Sequence, residues 1–171
     1  MHAIEVLTGP VSASDTRDLA ALLMDAVHAG ASVSFLGDLT LERAEAWWHE
    51  TLTSHERAVV FVARDETGIA GSVQLLPMWA PNQPHRGDVA KLLVHSRARR
   101  RGLGKALMRA LEAEAVKRGL TLLVLDTKRG DAAEKLYRAE GWIEVGTIPN
   151  YAMNPDRTFC DTVFFYKHLL H

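Results

Sequence analysis

The chain has 171 residues, 47% of them hydrophobic and 24% charged, with a formal net charge of -1; this is the composition of one globular domain able to bury a core, expected to span residues 1–171. Charge near neutrality excludes nucleic acid, an anionic membrane or a polyacidic substrate as the partner implied by bulk electrostatics. Cys160 is the only cysteine, so no internal disulfide forms; residues 1–5 lack a basic-then-apolar export pattern, and no stretch reaches the ~18–20 apolar residues that span a bilayer, so a cytoplasmic, non-membrane protein is expected.

Residues 4–7 predict a short strand, broken at Gly9-Pro10, after which Ser14 or Asp15 offers an oxygen to cap a helix. That helix carries Leu19, Leu22, Leu23 and Ala26 on one face and stops near Gly30. Residues 30–38 read as a loop, and Thr40 caps a second helix through Leu41, Ala44, Trp48 and Leu52. Trp47 and Trp48 are adjacent, so one faces the core and the other is left for a substrate or partner. Residues 58–64 and 69–76 are β-rich and joined by Asp65-Glu66-Thr67-Gly68, which pairs them antiparallel. Residues 78–87 hold two prolines and an asparagine and form a loop before a strand over 88–94. A polar run then enters a long helix over 103–118, with Leu103, Leu107, Ala110 and Leu111 inward and Gly119 ending it. Residues 120–126 make a nearly unbroken apolar strand suited to the middle of a sheet. A shorter helix over 131–140 closes at Gly141, and residues 142–146 and 159–167 supply the last strands. The order β, α, α, β, β, β, α, β, α, β, β contains no internal repeat.

The segment from Leu92 to Lys105 joins a strand to a glycine turn and a helix start. Glycines let the backbone approach an anion closely, and the free N–H groups of a helix N-terminus point at it with the macrodipole in favour. Arg99, Arg100, Arg101 and Lys105 add cationic donors beyond what a helix cap requires, so the loop suits a diphosphate. A dinucleotide fingerprint needs three glycines early in a βαβ unit, and a Walker loop needs Gly-Lys-Ser/Thr; neither is present. The run Arg99-x-x-Gly102-x-Gly104, preceded by Leu92-x-Val94, resembles the Arg/Gln-x-x-Gly-x-Gly/Ala signature of the GNAT acyltransferases. A second landmark of that family, an aromatic near the end of a short helix followed by Gly-aromatic, is similar to Tyr137-x-x-x-Gly141-Trp142.

The resemblance covers the chain after about residue 15. It implies an α/β (α+β) fold: a central mixed, mostly antiparallel sheet in which two parallel strands splay apart, with about four helices. It also implies acetyl-CoA as cosubstrate. Backbone groups of Leu92, Leu93 and Val94 would bond the pantetheine arm and acetyl carbonyl, and those of Arg99, Arg100, Arg101, Gly102, Leu103, Gly104 and Lys105 the pyrophosphate. An amide aimed at the thioester oxygen would stabilise charge as the tetrahedral intermediate forms. Within the family the chain looks closest to the tabtoxin-resistance acetyltransferases. The likeness lies in His28-Ala29-Gly30-Ala31-Ser32-Val33, Lys91-Leu92, Leu125-Asp126-Thr127, Tyr151 and Asn154-Pro155-Asp156-Arg157. It implies a small-molecule amine acceptor, amino-acid or β-lactam-toxin-like, beside His28, Ser32 and Phe35, and family members often form homodimers.

Transfer from a thioester needs an uncharged amine, hence a base, and the leaving thiolate gains from an acid. Asp88, six residues before Val94 where several family members place a glutamate, and Asp126, at the end of the other splayed strand, are both candidate bases. Tyr137 matches the tyrosine that protonates CoA thiolate in the family. The asparagine that often bonds pantetheine is Gly130 here, leaving Asp131 to serve the cofactor or cap its helix. Eight histidines (2, 28, 49, 55, 85, 95, 168 and 171) show no ligand-like spacing, so no metal is expected. Three alternatives stay open: a protein lysine or N-terminal acetyltransferase, a non-catalytic CoA-binding sensor, and a nucleic-acid module on residues 97–101.

Overall fold

The computed structural model describes residues 3–8, 10–54 and 58–169. Gly9 of the expected break, and His2, His55 and His171, lie outside them. Seven strands form one sheet: β1 (Ala3–Val6), β2 (Val59–Asp65), β3 (Gly68–Pro77), β4 (Arg86–Val94), β5 (Leu122–Lys128), β6 (Ile143–Met153) and β7 (Phe159–His168). Their order is β1-β2-β3-β4-β5-β7-β6, and among the described residues only β4 and β5 run parallel. Four helices cover the sheet: α1 (Ala13–His28), α2 (Leu41–Ser54), α3 (Leu103–Lys117) and α4 (Ala132–Ala139).

Local chemistry explains most of these boundaries. The cap of α1 is Ser12, two residues before Ser14 and three before Asp15, the expected caps. Its extended backbone leaves Oγ free to accept the N–H of Asp15 at 3.0 Å, while Asp15 itself pairs with Arg64. Thr40 caps α2 as expected, accepting the Arg43 N–H at 3.3 Å. The β2–β3 turn is held by the Asp65 carboxylate, which accepts the Thr67 N–H at 2.8 Å.

Two strands depart from expectation. The fifth begins at Leu122, because the Leu120 N–H bonds Ala115 and the Thr121 N–H bonds His85. Asp126 therefore lies inside the strand, opposite Phe164, and not at its end. The sixth runs to Met153, well past residue 146. Pro149 hides the extension in sequence, but a wide bulge between Ile148 and Ala152, with Asn150 at φ 52, absorbs it.

Two apolar layers sandwich the sheet. Leu19, Leu22, Leu23, Val27 and Trp48 of α1 and α2 pack on Val60, Val62, Ile69 and Leu93. Leu103, Leu107, Met108 and Leu111 of α3, with Tyr137 of α4, pack on Phe61, Val73, Val89, Leu123, Leu125, Val163 and Phe165 of the other face. Strand alternation thus assigns each central residue to a face. Val89, Leu123 and Leu125 point toward α3 and α4, so Asp88 and Asp126 point toward α1 and α2.

Candidate active site

The two parallel strands separate soon after they meet. Pairing of β4 with β5 stops at Asp88 with Val124, so the rest of β4 has no strand partner on its β5 side. On its other side β4 stays paired to β3, but Ser72 faces Leu93 while Gln74 faces Ala90. The extra residue is a bulge at Lys91 and Leu92; Lys91 adopts φ 51, and its carbonyl accepts the Ser72 hydroxyl at 3.3 Å. The result is a slot between β4 and β5 along which Leu92, Leu93 and Val94 have no β5 partner.

At the open end of β4 the chain makes a single 3-10 turn (Ser96–Ala98), and α3 starts behind Gly102. Gly102 sits at φ 77, where a side chain is strained. A Cβ on Gly104 would meet Leu136 Cδ2 at 3.2 Å, so this glycine permits the close approach of α3 and α4. The first intrahelical bond is from the Ala106 N–H to the Gly102 carbonyl, which leaves the amides of Leu103, Gly104 and Lys105 pointing out of the helix start. These amides and the glycine turn fit a pyrophosphate group.

The cationic side chains divide in a way the sequence did not reveal. Arg99 folds back, donating to the Val94 carbonyl at 3.0 Å and to Asp25 at 3.3 Å. Lys105 pairs with Glu140 at 2.6 Å, and Arg97 with Asp65 at 2.9 Å. These side chains shape the loop; only Arg100 and Arg101 remain exposed with no ion-pair partner among the described residues. Asp25 of α1 is the hidden support, accepting the Ser96 N–H at 2.8 Å and its hydroxyl at 2.7 Å. Burial would raise the Asp25 carboxyl, but the Ser96 bonds and the nearby His95 and Arg99 hold it below the ordinary aspartate range.

The titratable groups converge on Asp126. Desolvation raises its carboxyl above the ordinary range although one side stays open to solvent; Lys91 opposes that rise and Asp88 adds to it. Asp88 is likewise raised by burial, but it accepts a hydrogen bond from Arg86 at 2.8 Å. Asp126 has no such ion pair among the described residues. Across the sheet, Tyr137 is buried against Trp142 and Phe165, with ring centroids at 5.9 and 6.1 Å. Burial, and then the Asp126 charge, push its phenol well up, and its hydroxyl has no hydrogen bond among the described residues. The phenol therefore keeps its proton at neutral pH, which leaves it a hydrogen-bond donor although burial makes it a weaker acid.

The loop between α1 and α2 roofs the slot and is tied to the β6–β7 turn. The Ser32 hydroxyl donates to the Met153 carbonyl at 3.0 Å, and the Gly37 N–H to the Pro155 carbonyl at 2.9 Å. Phe35 meets Trp47 edge-on at 5.4 Å, while Trp48 is the fully buried member of the pair. His28 is exposed at the end of α1, and among the described residues no hydrogen bond or ion pair brings it to the carboxylates. Asp131 occupies the N-cap position of α4 without a capping bond; Glu134 instead accepts the Gly130 N–H at 2.6 Å, and burial raises the Asp131 carboxyl. Among the described residues no three His, Cys, Asp or Glu side chains gather as a metal site, and no helix is long and apolar enough to cross a membrane.

Lys91, Trp47 and Asp25 were not singled out as site residues by sequence reasoning. Two of them left a trace there: Trp47, as one of two adjacent tryptophans that cannot both face the core, and Lys91, as part of the Lys91-Leu92 likeness.

Residues 24–142 match the model of the acetyltransferase (GNAT) family. An uncharacterized N-acetyltransferase from the hisH-hisA intergenic region of Azospirillum brasilense is 34% identical over 116 residues, 67% of this chain and 68% of that one. The ribosomal-protein-alanine N-acetyltransferase of Brucella melitensis has a similar structure, with TM-score 0.78 and 25% identity over 98% of this chain and 99% of that one. A phosphinothricin acetyltransferase from Sinorhizobium meliloti, solved with acetyl-CoA, shares the fold with TM-score 0.79 and 19% identity over 98% of this chain and 88% of that one. With the splayed strands, the glycine-turned helix start and these likenesses together, the chain belongs to the GNAT family and is an N-acetyltransferase.

Proposed function

We propose that this acetyl-CoA-dependent N-acetyltransferase, working as one domain over residues 1–171, acetylates the amine of a small molecule by direct attack in a ternary complex. The observation that carries the proposal is the convergence on Asp126, whose charge reaches Asp88 and Lys91 on one face of the slot and Tyr137 on the other. The amides of residues 103–105, with Arg100 and Arg101, hold the pyrophosphate, and the unpaired edge of β4 holds the pantetheine arm. Asp126 takes a proton from the acceptor amine, directly or through water, with Asp88 beside it as the second carboxylate. The new C–N bond forms as the C–S bond breaks, and Tyr137 gives its proton to the departing thiolate. Acid and base thus face the reacting carbon from opposite sides of the sheet.

The tied roof of residues 32–37 supports a small acceptor over a protein chain. The tabtoxin-resistance likeness and the phosphinothricin acetyltransferase fold support an amino-acid or β-lactam-toxin-like compound, hence a cytoplasmic role in toxin resistance. The exposed apolar residues of the β6 edge and the start of β7 (Ile143, Val145, Ile148, Tyr151, Met153 and Phe159) support a homodimer. Light scattering of wild type and Val145→Lys tests it: a dimer made monomeric supports the dimer, and a wild-type monomer rejects it.

The deciding experiment is CoA release from acetyl-CoA across amino acids, amino-β-lactams, aminoglycosides, polyamines and lysine peptides, in wild type, Tyr137→Phe and Asp126→Asn. Turnover on a small amine that falls in both variants supports the proposal. Turnover confined to lysine peptides, or unchanged in both variants, refutes it.

A further inference from the structure

Lys91 is placed where the chemistry above does not require it. The bulge turns it onto the face that carries Asp88 and Asp126, and Nζ donates to Ser34 Oγ at 2.9 Å and lies 5.3 Å from the centre of the Trp47 ring. No carboxylate of the described residues pairs with it. An ammonium has three donors, and one is used. A cation drawn out of water without a direct ion pair is unfavourable, and burial does hold this lysine below its ordinary range, with Asp126 pulling the other way. An apolar residue would suit this strand at no such penalty. The lysine is nevertheless partly open to the slot, beneath the roof formed by Ser34 and Phe35.

Resting on the acetyltransferase activity proposed above, we infer that Lys91, with Ser34 and Trp47, is a carboxylate subsite, so that the acceptor is a zwitterion. Its amine faces Asp126 and Asp88, and its carboxylate supplies the direct ion pair that Lys91 lacks among the described residues. The charge layout of the slot is then the complement of a free amino acid. A protein N-terminus or a lysine side chain offers only neutral amides next to its amine and leaves Lys91 unpaired. A polyamine brings a second cation against it.

The test uses each of the twenty free L-amino acids and its carboxamide as acceptors, with spermidine and phenylethylamine as amines lacking a carboxylate, on wild type, Lys91→Met and Lys91→Arg. In wild type, at least one acid should exceed its carboxamide in kcat/KM on the order of 100-fold, as expected when a buried charge loses its partner. In Lys91→Met that preference should collapse, chiefly through KM, and Lys91→Arg should keep part of it. Carboxamides that serve as well as acids in wild type overturn the subsite, without recourse to any variant. So does an acid preference that survives Lys91→Met. Turnover of spermidine or phenylethylamine with no acid accepted overturns the subsite and leaves the acetyltransferase activity standing; no turnover of any acceptor overturns both.

Discussion

The cofactor loop and the acceptor roof of this molecule are built on different principles. The loop over residues 99–105 is local: a strand end, a residue at φ 62, a glycine at φ 77 and a helix start, whose binding groups are backbone amides. The roof is assembled over long distances, by Ser32 on Met153, Lys91 on Ser34 and Lys128 on the Gly30 carbonyl. Backbone sites tolerate side-chain change and are held by conformation. Side-chain sites are lost or altered one residue at a time, which is where specificity between acceptors arises.

That contrast predicts which substitutions separate binding from chemistry. The largest effect belongs to the acid: Tyr137→Phe should lower kcat by ~10²–10⁴ while acetyl-CoA affinity holds, as rapid-quench and titration experiments would read. Trp48→Ala should cost about 3–5 kcal/mol of stability by emptying the helix layer beneath the roof, read by urea unfolding. Gly104→Val should weaken acetyl-CoA binding by forcing α3 from α4 at Leu136, with a strain of about 1–3 kcal/mol.

The smallest effects are in pH. Asp126 is raised by burial and must be deprotonated to act, so the acid limb of kcat should lie above the ordinary aspartate pKa of ~3.9. Lys91→Met removes the charge that opposes this rise and should move the limb to higher pH. The loop behaves in the opposite sense. Asp65, through Arg97 and Thr67, and Asp25, through Ser96, are held below their unfolded values. Their stabilisation is therefore present above an unfolded pKa near ~3.9 and lost as pH falls through the folded value. Asp25→Asn should blunt the acid loss of acetyl-CoA affinity, measured by titration between neutral and acid pH.

The same division governs what the sequence discloses. Arg99-x-x-Gly102-x-Gly104 was legible because spacing along one segment is the geometry of the loop. The mixed sheet and the splay followed from the family pattern, but the position of Asp126 within β5 depended on where Leu120 and Thr121 bond. Arg99 and Lys105 looked like anion donors because Asp25 and Glu140, their partners, are 74 and 35 positions away in the chain. The length of β6 was hidden by Pro149 and Asn150, whose bulge is legible only when β7 is beside it. Lys91 was noted only in the Lys91-Leu92 likeness; its companions Ser34 and Trp47 come from the loop and α2, and no local pattern joins them.

The most direct test of the division is acetyl-CoA affinity and turnover measured side by side on Asp126→Asn. An acetyl-CoA Kd within about twofold of wild type, with kcat lowered at least ~100-fold, is predicted if the backbone binds and Asp126 is the base. Unchanged kcat, or a loss of acetyl-CoA binding as large as the loss of turnover, would contradict it.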